Sequence, residues 1–288
     1  MPTLRDIKRR ITTVEKTQQI TRAMRMVAAA KLRRAQDAIE SARPYAGRMR
    51  ETLREIVATQ SGAGHPLLEA REKIRRLELV VISSDRGLAG AFNGNVIKRA
   101  EAILAEREAA LASISLTLIG RRVRDHFRRR RSGQIRQSHE IGGWVEYERV
   151  AEIAKGLARE FEGGEVDQVV LVFNEFVSIL TQLPTSLQLL PFEAAAQTGE
   201  PAHSPHSIEP GPEELLAALV PKAIEVEVFR AMLENQAGEH AARMTAMESA
   251  TRNTEELIKT LTLEYNRARQ AAITKELVEI VTGAQALE

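Results

Sequence analysis

The 288-residue sequence predicts a mixed α+β and α/β protein. Its two termini are expected to form a long antiparallel two-helix coiled coil, with an α/β domain inserted between them. Three observations carry that expectation. Apolar or small residues recur in steps of three and four near the N-terminus. A more regular series of the same kind runs through the C-terminal part of the chain. Between them, short apolar runs alternate with helical segments.

Residues 1–60 read as the N-terminal coiled-coil helix. Leu4, Ile7, Ile11, Val14, Ile20, Met24, Val27, Ala28 and Leu32 mark an apolar stripe on one face. Pro44 removes a backbone donor and is expected to kink or locally disturb this helix. At 1.5 Å per residue the helix would be roughly 85 Å long, more than a compact domain buries alone.

Residues 75–195 form the central domain. Leu77–Ser84 reads as a buried strand, Asn93–Arg107 as a helix and Ile114–Ile119 as a second strand. Arg121–Arg131 can be a helix, Gln134–Ser138 a weak strand, and Glu146–Phe161 a further helix. Val166–Phe173 is another strand, and Ile179–Phe192 gives extended segments around Pro184. Such alternation predicts a mainly parallel, Rossmann-like sheet. Residues 196–212, rich in proline, read as an exposed linker.

Residues 213–288 form the C-terminal coiled-coil helix. Met244, Met247, Thr251, Thr254, Ile258, Leu261, Tyr265, Ala268 and Ala272 follow three- and four-residue steps without a break. Gly238 is a weak point, about 1 kcal/mol worse than Ala in a helix. Pro221 either starts the helix or kinks it, and the helical pattern of Glu213–Val220 favours the kink. Because many seam positions are Thr, Ala or Met, the coil should be slender and only moderately stable. Pairing of the termini would place both near one end of a rod, with the inserted domain at its base.

Composition narrows the function classes. Charged residues make up 28% and aromatics 4%, a mixture typical of long exposed helices. The absence of cysteine excludes disulfides, thiolate metal sites and cysteine nucleophiles. No apolar stretch is long enough to span a membrane, and Met1–Arg10 lacks the apolar segment of a signal peptide. The net charge is only +2, yet Thr3–Arg34 holds ten Lys or Arg against Asp6 and Glu15, and Arg121–Arg131 holds seven arginines.

Catalytic chemistry finds little support. Ser84–Gly94 follows the first strand, where phosphate loops sit, but it matches neither the P-loop nor the dinucleotide glycine pattern. A glycine-permitted turn into a helix suffices, with Asp85 and Arg86 pairing locally or capping it. His65, His126, His139, His203, His206 and His240 lack metal-ligand spacing. No catalytic, cofactor-binding or metal-binding residues and no cofactor are therefore expected. The arginine run leaves open two other classes, a coiled-coil scaffold and a nucleic-acid-binding protein, although no recognition module accompanies it.

Three dispersed groups of motifs resemble the gamma subunit of F-type ATP synthases. The first holds Ile7–Ile11, Lys16–Met24 and Met26–Arg33; the second holds Ser83–Gly90 with Asn93. The third holds Glu239–Met244, Ala246–Met247, Ala250–Asn253 and Tyr265–Leu277. The resemblance implies the fold deduced above and a central-stalk rotor role in a bacterial proton-translocating ATP synthase. It implies that the chain itself is not an enzyme. The implied partners are the alpha and beta subunits of a catalytic hexamer, the epsilon subunit and the membrane c-ring, with no nucleic acid. The implied location is peripheral, on the cytoplasmic side of the bacterial inner membrane. By match within the motifs, Met24, Arg243, Arg269, Gln270 and Thr274 are implied contacts to the beta subunits. The lack of cysteine departs from plant chloroplast versions, which carry a redox-active cysteine pair.

Overall fold

The structure is a computed structural model and describes residues 3–59, 65–193 and 211–285. Two helices dominate it, α1 (Leu4–Thr59) and α5 (Pro212–Gln285). Between them lie β1 (Arg76–Ile82), α2 (Phe92–Arg107), β2 (Ser113–Ile119), α3 (Arg121–Arg130), β3 (Ile135–His139), α4 (Tyr147–Glu162), β4 (Gln168–Phe176) and β5 (Gln182–Leu190). The chain divides into two compact units: Met1–Ala29 with Arg243–Glu288, and Ala30–Ala242. Each long helix contributes to both. The proline-rich linker expected at 196–212 falls almost wholly outside the described residues, as do His203 and His206.

In the larger unit, five strands form one sheet in the order β3-β2-β1-β4-β5. The first four run parallel, and β5 returns antiparallel to β4. Alternation along the central strands sorts their side chains onto two faces. Leu77, Leu79 and Val81 of β1, with Val170 and Val172 of β4, pack under α2 and α3. Val80 and Ile82, with Val169, Leu171 and Phe173, face α4 and the nearer parts of α1 and α5. Burial on both sides explains why β1 and β4 read as almost continuous apolar runs.

The loop after β1 serves as a cap for α3. The first N–H groups of α3 would otherwise lack acceptors. Arg121 N donates to Asp85 Oδ1 at 3.0 Å, Arg122 N to the Ser84 carbonyl at 3.2 Å, and Val123 N to Ser83 Oγ at 3.1 Å. Asp85 therefore caps a different helix from the one it precedes, and its other oxygen accepts from Gly142 N at 2.9 Å. Gly120, at φ 102°, brings its backbone so close that an added Cβ would stand 2.6 Å from the Ser83 carbonyl oxygen.

Helix α5 crosses the C-terminal edge of this sheet. Asn235 Nδ2 donates to the Ser83 carbonyl at 3.3 Å, and Gln236 Nε2 to the Gly143 carbonyl at 2.8 Å. Gly238 is a point of close approach, where an added Cβ would lie 2.9 Å from Phe92 Cε2 and 3.3 Å from Gln182 Cγ. Its helix-propensity cost is thus offset by packing. On α1, Arg43 donates to the Phe176 carbonyl at 3.1 Å, and the Arg34 guanidinium lies 4.2 Å from the Trp144 ring centre. Arg50 pairs with Glu227 at 2.8 Å, while Arg230 pairs with Glu234 at 2.7 Å and also with Glu227.

Both long helices run unbroken through their internal prolines, Pro44 and Pro221. Helix α5 begins at Pro212, so Pro221 is internal, and buried Leu216 and Val220 anchor the preceding turn. Replacing Gly238 by Ala should improve helix propensity but force Phe92 to move. The expected net result is destabilisation by about 1–2 kcal/mol, read as a lower urea midpoint.

Candidate functional site

All five residues singled out from the sequence belong to the unit built from Met1–Ala29 and Arg243–Glu288. Its first helix opens on a reciprocal cap. Thr3 Oγ1 donates to Asp6 Oδ2 at 2.7 Å, and Asp6 N donates to Thr3 Oγ1 at 3.2 Å. Those hydrogen bonds hold the Asp6 carboxyl below its usual range.

A hydroxyl pair joins the two helices. Thr251 Oγ1 lies 2.9 Å from Thr21 Oγ1 and 2.7 Å from the Met247 carbonyl oxygen. From that point α1 leaves the unit at Ala29 and α5 enters it at Arg243, so the segments run in opposite directions. All nine positions of the α5 periodic series are at least half-buried. On α1 the inward row is Leu4, Ile7, Ile11, Val14, Gln18, Thr21, Met24 and Arg25, and Ala28, not the purely apolar series read from the sequence. Ile20 and Val27 are 59% and 57% exposed and lie off the seam. Strict three-four spacing places Gln18 and Thr21 inward, whatever their polarity.

The antiparallel pairing also limits how far α1 can cover α5. Counting outward from Thr21 and Thr251, Leu4 falls opposite Ala268. Every residue from Ile273 to Thr282 is exposed. Ile273, Leu277, Ile280 and Val281, which recur at helical spacing, leave an apolar face without a neighbour among the described residues of this unit.

Arg269, Gln270 and Thr274 stand beside that face, all exposed. Thr274 Oγ1 donates to the Gln270 carbonyl at 3.0 Å, which sets these two positions one turn apart. Among the described residues Arg269 forms no ion pair. Met24 and Arg243 are half-buried. Arg243 precedes Arg269 by roughly 40 Å of helix, so the structure separates the five residues into two groups. Sequence reasoning missed the apolar group Ile273–Val281, whose signal is a stripe continuing beyond the length of its partner.

The other motifs find structural uses in the larger unit. Within the arginine run, Arg121 and Arg124 pair with Glu140, Arg130 with Glu101 and Arg131 with Glu108. His126 lies 2.8 Å from the same Glu101. The crevice beyond the C-terminal ends of β1 and β4, where sheets of this type bind ligands, is crossed by α5. Among the described residues no helix is long and apolar enough to cross a membrane.

A family model described as ATP synthase matches residues 3–287. The ATP synthase gamma chain of Desulforamulus reducens is 48% identical over 288 residues and covers all of both chains. The chain belongs to the ATP synthase gamma chain family. A second relative, the ATP synthase gamma chain of Anaeromyxobacter sp., is 48% identical over 291 residues, again covering all of both chains. Among solved structures, a chain of the Euglena gracilis mitochondrial ATP synthase rotor aligns with a TM-score of 0.65 at 20% identity. That alignment covers 94% of this chain and 98% of the other. The mixed architecture of a five-stranded sheet with a long C-terminal helix is thus that of this family.

The register of the paired helices is open to test. Leu261→Ala should cost about 2–4 kcal/mol of unfolding free energy through lost core packing. Ile20→Ser and Val27→Ser should each stay within about 0.5 kcal/mol of wild type, as exposed substitutions do. Urea unfolding of the three variants, followed by circular dichroism, compares them directly.

Proposed function

We propose that the chain is the central-stalk rotor subunit of a bacterial proton-translocating F-type ATP synthase and performs no catalysis itself. The observation that carries this reading is the uncovered end of α5. It presents the apolar face Ile273, Leu277, Ile280 and Val281 beside Arg269, Gln270 and Thr274. A long helix with exposed apolar and hydrogen-bonding side chains suits a surrounding protein cavity better than water.

In this reading the hexamer of alpha and beta subunits supplies the cavity and the nucleotide chemistry. Arg243 and Arg269 make charge-assisted bonds to carboxylates on one beta subunit at a time, with Met24, Gln270 and Thr274 completing the contacts. A single asymmetric shaft then places three equivalent partners in different environments. The central domain, residues 75–195, engages the epsilon subunit and the membrane c-ring, whose rotation it receives. Residues 1–60 and 213–288 serve as the coiled-coil shaft, with 196–212 as linker. The location is peripheral, on the cytoplasmic face of the bacterial inner membrane.

The nucleic-acid alternative is weakened by the arginine run itself. Four of its guanidiniums are already paired with Glu101, Glu108 or Glu140. Phosphate neutralisation would have to compete with those pairs.

Reconstitution from separately purified alpha and beta subunits tests the proposal. Adding this chain in equal ratio to the hexamer should yield a stable complex with robust ATP turnover. Failure to join the complex or change turnover would overturn the reading. Arg269→Ala and Thr274→Ala should each lower hydrolysis by the assembled complex several-fold, corresponding to about 1 kcal/mol or more of lost contact. The isolated chain's circular dichroism should be unchanged; full activity in both variants would remove the contact assignment.

A further inference from the structure

The sheet carries a carboxyl group where its alternation calls for an apolar side chain. Glu78 lies on β1, on the face shared by Val80 and Ile82, and is fully buried. Ser115 and Thr117 of β2 face it from the neighbouring strand, and Ser115 Oγ hydrogen-bonds Glu78 Oε2. Arg136 approaches from β3 and Glu160 from α4, and Glu165 follows α4.

The charges of this cluster do not balance. One guanidinium faces three carboxyl groups, and its shortest contact goes to the outermost. Arg136 Nη1 is 2.8 Å from Glu165, which is 65% exposed. The same Nη1 is 3.4 Å from Glu160, and Arg136 Nε is 3.4 Å from Glu78. Nearby polar groups are engaged elsewhere: Arg76 binds Asp167 at 2.8 Å, and Gln137 Nε2 donates to Glu160 Oε1 at 3.0 Å.

Three buried oxygens in the cluster have no hydrogen-bond partner: Glu78 Oε1, Thr117 Oγ1 and Glu160 Oε2. Two belong to carboxyl groups, and a proton on Glu78 removes a buried charge that the shared guanidinium does not balance. An ionised, weakly compensated Glu78 would instead leave a buried charge, which is strongly unfavourable.

We propose that Glu78 is a proton-binding site, its buried carboxyl carrying the proton that this crowded cluster of carboxyl groups requires. Glu160 and Glu165 share Arg136 with it. Burial pushes the Glu78 carboxyl above its usual range, against the Ser115 hydrogen bond, the nearby Thr117 hydroxyl and the Arg136 charge, while the Glu160 charge adds to the rise. The folded chain therefore binds a proton that the unfolded chain releases. Stability from this site is fully present below the unfolded pKa and is lost as pH rises through the folded pKa.

The test is a carbon-13 NMR titration of the glutamate carboxyls in the full chain, with Glu78→Gln identifying the Glu78 resonance by its disappearance. The expected midpoint lies clearly above 4.5, the ordinary value for glutamate. A midpoint at or below 4.5 overturns the proposal. A second measurement uses the same variant, which keeps the neutral shape of the side chain. The urea midpoint of wild type should fall relative to Glu78→Gln as pH rises from the ordinary carboxylate range. A difference between the two that does not change with pH also overturns it.

Discussion

The seat of α5 on the C-terminal edge of the sheet is the contact on which the larger unit depends. Ser83 concentrates it. Its N–H donates to the Ile119 carbonyl at 2.8 Å, its hydroxyl caps α3, and its carbonyl accepts from Asn235. One residue at the end of β1 therefore ties together β2, α3 and α5. In a parallel α/β sheet this edge is ordinarily where a ligand is held. Here a helix of the same chain crosses it, with Gly238 permitting the close approach to Phe92. The sheet acts as a grip on α5 and, through Arg43 and Arg34, on α1.

The two units hold their helices by different means. In the larger unit, Arg50, Arg230, Glu227 and Glu234 form buried or half-buried ion pairs between and along α1 and α5. Such pairs contribute little net stability after desolvation, but a shifted register would leave charges buried without partners. They define how the helices meet. The smaller unit has a seam in which Thr, Ala and Met alternate with aliphatic side chains such as Ile7, Ile11 and Leu261. Thr21 and Thr251 meet there through hydroxyls. This seam leaves one side of each helix free for other surfaces.

Much of this was legible from residue order, because helix and strand periods are local properties. The α5 seam appeared in the sequence position by position. The strand and helix segments of the inserted region lie close to their observed bounds, since burial on both faces makes the strands nearly continuous apolar runs. The α1 seam was misread at Ile20 and Val27 because apolarity was taken to mark the inward face, whereas spacing selects Gln18 and Thr21. Other features depended on residues distant in sequence. Asp85 finds its partners at Arg121 and Gly142, and Gly238 has its reason in Phe92. The contacts proposed for Arg269, Gln270 and Thr274 came from family resemblance alone, since exposed helical side chains carry no local signature of a partner.

Insertion of the α/β segment between the two long helices has a consequence for synthesis. Thr21 and Thr251 are separated by 230 positions along the chain. At typical elongation rates, α1 leaves the ribosome roughly ten to fifty seconds before its seam partner exists. During that interval its inward row is covered by nothing from its own chain. The sheet, whose first four strands follow directly, can form before α5 is finished. Closure of the seam thus waits on α5, and until then the inward row of the nascent N-terminal helix has to find its cover elsewhere.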